Sequence, residues 1–80
     1  MKIPRDLSAG RLAKALARFG YHVTRQKGSH WRLTTQTNGE HHITLPNHPS
    51  LRIGLVSSVL ADAASHLGIP RDQLARQLFE

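Results

Sequence analysis

A chain of 80 residues with 39% hydrophobic content has room for one small core, which excludes a multi-domain reading and leaves little volume for an enclosed small-molecule pocket. Eleven Lys plus Arg against five Asp plus Glu give a net charge of +6 with histidines neutral, so an anionic partner is the first expectation. The absence of cysteine excludes disulfide scaffolds, thiolate zinc sites and cysteine nucleophiles. The cations, from Lys2, Arg5 and Arg11 to Arg71 and Arg76, are spread among core-type residues, as expected of a folded basic surface rather than a basic tail. No apolar run approaches the roughly 18 residues of a membrane span, and Arg5 with Asp6 interrupts the N-terminal segment. The expectation is a single soluble, cytoplasmic domain over residues 1–80 with no membrane partner.

From Ser8 to Gly20, Leu12, Ala15, Leu16 and Phe19 recur at i, i+3, i+4 and i+7, while Arg11, Lys14 and Arg18 lie off that stripe, which predicts a basic amphipathic helix. Ser8 is placed to cap its first turn, Leu7 to staple against Leu12, and Gly20 to supply a left-handed stop. From Tyr21 the period becomes two: Tyr21, Val23 and Arg25 alternate with His22, Thr24 and Gln26, predicting a strand. Lys27, Gly28 and Ser29 form a short turn. A second strand runs from His30 to Thr35, with Trp31 and Leu33 on one face and His30, Arg32 and Thr34 on the other. Asn38-Gly39 is a hairpin signal. A third strand runs from Glu40 to Leu45, with His41, Ile43 and Leu45 opposite His42 and Thr44, and Pro46 stops it.

After the loop Asn47 to Ser50, Leu55, Val56, Val59, Leu60, Ala63, Ala64 and Leu67 give a second helix a broad apolar stripe, closed by Gly68. Pro70 is expected in the first turn of a short final helix, with Asp72 near its positive end and Leu74 and Leu78 on one side. The predicted class is α+β, ordered α-β-β-β-α, with a three-stranded antiparallel sheet covered by helices on one face only and a short C-terminal helix.

By strict alternation the uncovered face carries His22, Thr24, Gln26, His30, Arg32, Thr34, His42 and Thr44, with Lys27 beside it. It is rich in donors and free of carboxylates, because Glu40 is the only acid in the sheet region. Such a surface suits phosphate, although a polar sheet face is also an ordinary solvated face. His30 follows a Gly and a Ser, so a ligand can approach its backbone closely. Its imidazole changes charge near neutral pH, as proton transfer at a ribose hydroxyl requires. The alternative is a histidine satisfied by a backbone hydrogen bond at the start of a strand. His41 and His42 point to opposite faces and do not chelate one ion together. His48 adds no second pair, so neither a metal nor any other cofactor is expected. His66 is expected to meet the carbonyl end of its own helix. Trp31 falls with Leu33 toward the helices and is expected to pack in the core rather than stack on a base.

Ile3 through Ser8, Tyr21 through His30, Leu45 through His48 and Leu51 through Gly54 together resemble the HicA (YcfA-like) toxin family, and the similarity runs over essentially the full chain. The resemblance implies a fold like the double-stranded-RNA-binding domain. It also implies that the protein is the toxin of a type II toxin-antitoxin system, an mRNA interferase that cuts mRNA and halts translation, partnered by a HicB-like antitoxin that blocks its active surface. The histidine of the family's Gly-Ser-His motif, regarded as catalytic, corresponds here to His30, after Gly28 and Ser29. Where many relatives have Gly-Thr at the start of the second helix, this chain has Gly54-Leu55, and the stretch from Leu60 to Pro70 is about one helical turn longer than in compact members.

The expected chemistry is metal-independent cleavage of single-stranded or loop RNA, with Arg25, Lys27 and Arg32 neutralising phosphates and His30 drawing the proton from a 2′-hydroxyl. Lys27, a second histidine such as His22 or His42, and water all remain open as donors to the leaving oxygen. Two rival readings use the same surface: a non-catalytic RNA-binding module, and a protein that binds an acidic protein partner.

Overall fold

The structure, a computed structural model, describes residues 3–80, and Lys2 of the spread cations lies outside them. Its elements are α1 (Ala9–Leu16), a 3-10 turn (Ala17–Phe19), β1 (His22–Lys27), β2 (His30–Thr35), β3 (His41–Pro46), α2 (Ile53–Leu67) and α3 (Arg71–Phe79). The order is therefore the expected α-β-β-β-α with a further C-terminal helix. The three strands form one antiparallel meander in the order β1-β2-β3.

α1 begins where Ser8 turns extended and its hydroxyl accepts the Arg11 N–H at 3.1 Å, satisfying one of the free amides of the first turn. Leu7, Leu12 and Leu16 are fully buried in one core. The expected single helix to Gly20 tightens after Leu16 into the 3-10 turn, because the chain must reverse at once to deliver Tyr21 into the core. Gly20, at φ 84°, makes that reversal. A Cβ there would lie 2.7 Å from Thr37 Oγ1 and 2.8 Å from Thr35 Oγ1, so both backbone angle and space require glycine. Thr35 is buried, and its hydroxyl donates to the Phe19 carbonyl at 2.9 Å while accepting the Thr37 N–H at 3.1 Å.

Leu33, Ile43 and Leu45 project from the inner face of the sheet and are buried with Val56, Leu60 and Ala63 of α2 and Leu74, Ala75 and Leu78 of α3. Each fully buried leucine stabilises the fold by about 2 kcal/mol against exposure. α2 and α3 meet at 109° through Gly68 in the left-handed region. Pro70 lies just before α3 in extended conformation rather than in its first turn.

Two sheet boundaries differ from expectation. Asn38 and Gly39 both have positive φ, but Thr35 pairs with His41, so residues 36–40 form a longer loop, preceded by Thr35, whose hydroxyl is occupied with the end of the 3-10 turn. Pro46 ends β3 from within, opposite His30, a position an edge strand tolerates because the missing N–H faces no neighbour.

Candidate functional site

The β1–β2 turn is closed by the Lys27–His30 pair, with Gly28 and Ser29 between. Gly28 has φ 57° and nothing within 4 Å of a Cβ position, so conformation rather than crowding requires glycine, as at the first central position of a two-residue hairpin turn. The Ser29 carbonyl accepts the Asn47 N–H at 2.5 Å, which pins the turn to the chain leaving β3.

Register decides which side chains the turn gathers. Val23 pairs with Leu33 and Arg25 with Arg32, leaving Thr24 as an extra residue in a β-bulge. Alternation therefore restarts after Thr24: Arg25 and Lys27 share the open face with Arg32 and His30, while Gln26, opposite Trp31, leaves it. This corrects the strict alternation, which put Gln26 on the open face and Arg25 with Tyr21 and Val23. The signal was in the parity. Counting back from the turn places Arg25 outward, counting forward from Tyr21 places it inward, and one unpaired residue reconciles the two counts.

The open face is consequently built in rows across the strands, about 6.7 Å apart along the strand direction. The first holds Lys27, His30 and Pro46; the second Arg25, Arg32 and Thr44; the third His22, Thr34 and His42. The first two rows line a shallow cavity of about 240 Å³ formed by Arg25, Lys27, His30, Trp31, Arg32 and Thr44. Arg25, Lys27, Gly28, Ser29, His30 and Arg32 are all exposed. Among the described residues the ion pairs are His41–Asp62 and His42–Glu40, so no carboxylate neutralises these cations. The His30 ring makes no hydrogen bond to the described residues, so it is not the backbone-satisfied histidine of the alternative reading. Trp31 is half-buried against the core, as expected, but also borders the cavity, and its indole N–H is buried without a partner among the described residues.

The third row differs, and here the expectation of a carboxylate-free face fails. Glu40 folds back onto it: Thr24 and Thr34 hydroxyls lie 2.7 Å apart, Thr34 Oγ1 is 2.8 Å from His42 Nδ1, and His42 Nε2 is 3.1 Å from Glu40 Oε2. With the Nε2 proton given to Glu40, Nδ1 accepts from Thr34, whose oxygen accepts from Thr24. Hydrogen bonds from Gln36 and then His42 hold the Glu40 carboxyl below its ordinary range.

The inner histidines are equally committed. His41 is 2.8 Å from the Tyr21 hydroxyl through Nδ1 and 3.2 Å from Asp62 through Nε2, and it stacks on His66 with centroids 4.4 Å apart. Burial first, and Asp62 second, push the Tyr21 phenol up to about 12. His66 does not serve its own helix end as expected. Its Nε2–H donates to the Thr37 and Gly39 carbonyls at 2.9 and 3.0 Å, clamping the β2–β3 loop to α2. Among the described residues no three His, Asp or Glu side chains gather to hold a metal ion.

No curated protein and no solved structure gives a significant match. The family model described as "HicA toxin of bacterial toxin-antitoxin" matches residues 10–64, from within α1 through the sheet to near the end of α2. That span includes the bulge, the turn with His30 and every cation of the open face, and the chain belongs to the HicA family of bacterial toxins of toxin-antitoxin systems.

Proposed function

We propose that the protein is an mRNA interferase of a type II system, a metal-independent endoribonuclease whose open sheet face binds single-stranded or loop RNA in the cytoplasm. The observation that carries this reading is an exposed imidazole at His30 that, among the described residues, makes no hydrogen bond and stands among Arg25, Lys27 and Arg32 with no carboxylate paired to any of them. Three permanent charges within two adjacent rows suit consecutive backbone phosphates. Gly28 and Ser29 keep the approach to His30 clear of bulky side chains.

In the proposed step His30 takes the proton of a ribose 2′-hydroxyl. The 2′-oxygen then forms a bond to the adjacent phosphorus, the bond to the 5′-oxygen breaks, and that oxygen takes a proton from Lys27 or from water, giving a 2′,3′-cyclic phosphate and a 5′-hydroxyl end. Lys27 faces His30 directly across the turn and can donate hydrogen bonds on the leaving side. His22 and His42, in the third row, lie about 13 Å away at the strand rise per residue, too far to act on the same phosphate. A HicB-like antitoxin would silence the protein by covering this patch.

The test is cleavage of a long transcript by purified protein in excess EDTA. Wild type should cut and His30→Ala should bind RNA with similar affinity without cutting. Wild type that binds without cutting would support the non-catalytic module instead.

A further inference from the structure

Next to His30 lies a second cavity, of about 350 Å³, lined by Pro46, His48, Ser50, Leu51, Arg52 and Leu55. Its position follows from register. Pro46 is the cross-strand partner of His30 and ends the first row of the open face, so a chain crossing that row perpendicular to the strands passes Lys27, then His30, then Pro46, and arrives at this cavity. Adjacent strands are about 4.8 Å apart, which puts the cavity mouth about one nucleotide from the proposed reacting phosphate.

The walls are preformed. The loop behind them is tied to the N-terminal segment by Ala9 N–H to the His48 carbonyl at 3.0 Å, Leu51 N–H to the Leu7 carbonyl at 2.7 Å, and the Ser50 hydroxyl to Asp6 Oδ1 at 3.2 Å. It is tied to the catalytic turn by the Asn47 N–H on the Ser29 carbonyl. Leu51 is buried and Leu55 half-buried, whereas His48 and Arg52 are exposed at the rim. The Ser50 hydroxyl, engaged with Asp6, braces the loop. A cavity with apolar walls from Pro46, Leu51 and Leu55, and with an imidazole and a guanidinium at its edge, does not suit a bare phosphate. It suits a flat heteroaromatic ring that shows a face to carbon and an edge to hydrogen-bond donors. Its volume, at the low end for small-ligand clefts, accommodates one such ring.

From this placement we infer that the cavity between the β3 end and the start of α2 is a nucleobase subsite, which takes the base of the nucleotide flanking the cleaved bond, with His48 and Arg52 reading its edge and Leu55 its face. This inference rests on the proposed RNA cleavage by the adjacent row. It gives the protein a preference at one flanking position, and an RNA path that crosses the strands instead of following them.

The experiment measures equilibrium binding of a labelled single-stranded oligoribonucleotide spanning a cut site first mapped with wild-type protein, with every 2′-hydroxyl replaced by 2′-fluorine so that binding is read without cutting. An abasic unit is placed first on one side of that site and then on the other. Wild type should lose about tenfold in affinity for one of the two abasic probes, the loss of one base contact, and be indifferent to the other. His48→Ala and Arg52→Gln, both at exposed positions, should shrink that difference, and Leu55→Trp, which fills the cavity, should abolish it. Wild type that binds both abasic probes as well as the parent overturns the subsite while leaving the cleavage reading intact. Equal losses in wild type and all three variants overturn it too, as does a cavity whose variants weaken only antitoxin binding. Wild type that binds no RNA at all sinks the cleavage reading itself.

Discussion

The two ends of the sheet use the same kinds of residue in opposite ways. At the β2–β3 end, His41, His42 and His66 each have both a fixed position and named partners, among them Tyr21, Asp62, Thr34, Glu40 and the loop carbonyls. At the β1–β2 end His30 has no hydrogen-bond partner among the described residues, and it stands among Arg25, Lys27 and Arg32, which form no ion pair among them either. Histidine content alone therefore says little about chemistry. A histidine whose hydrogen bonds are spent holds the fold, and one left idle on an accessible cationic face has its donors and acceptors free for a ligand.

That contrast breaks most visibly under histidine replacement. His30→Ala should lower RNA cleavage by about 10²–10⁴-fold, the scale of a lost general base, with an unchanged melting temperature. His42→Ala should leave cleavage nearly unchanged. Equal losses from the two would erase the distinction between the ends. Glycine replacement sharpens it through stability. Gly20→Ala, strained in φ and crowded by two threonine hydroxyls, should cost about 2–3 kcal/mol, read as a melting temperature lower by roughly 10 °C or more. Gly28→Ala, strained in φ but with open space, should cost only about 1 kcal/mol.

Smaller effects follow from charge. Replacing Arg25 and Arg32 together by Gln should reduce the slope of log affinity against log salt for single-stranded RNA by about 1.4, roughly 0.7 for each lost phosphate contact. An unchanged slope would remove both from the interface. At the tied end, the Tyr21 phenol sits near 12 instead of 10, so its folded state favours the protonated form. The stability it contributes is present below pH 10 and is lost as pH rises from 10 through 12. Absorbance of tyrosinate in the folded protein should rise with a midpoint near pH 12, and Asp62→Asn should move that midpoint down only partway, because burial is the larger cause. The smallest effect belongs to the exposed Glu40. Its lowered carboxyl stabilises the fold above the ordinary carboxylate range, a contribution lost as pH falls through the lowered value, so Glu40→Gln should flatten only the acid limb of the stability curve.

Much of this was legible from residue order. The stripe of Leu12 and Leu16, the caps at Ser8 and Gly20, the strand His30–Thr35 and the apolar face of α2 follow from local periodicity and agree with the structure. What strict periodicity missed was non-local or off-period. The bulge at Thr24 adds one residue to a period of two, and it moved Arg25 onto the open face and Gln26 off it. Glu40 reached His42 from a loop, and His66 found carbonyls 27 and 29 residues away in the chain. Such contacts depend on where α2 lands against the sheet, which no window along the chain contains.

The most direct measurement uses a DNA oligonucleotide containing a single ribonucleotide, incubated with wild-type protein in EDTA, with the product ends identified by mass. Wild type should make one cut, immediately 3′ of the ribose, leaving a 2′,3′-cyclic phosphate and a 5′-hydroxyl. Cutting at deoxy positions, or a cut that appears only when a divalent ion is restored, would contradict the proposed step.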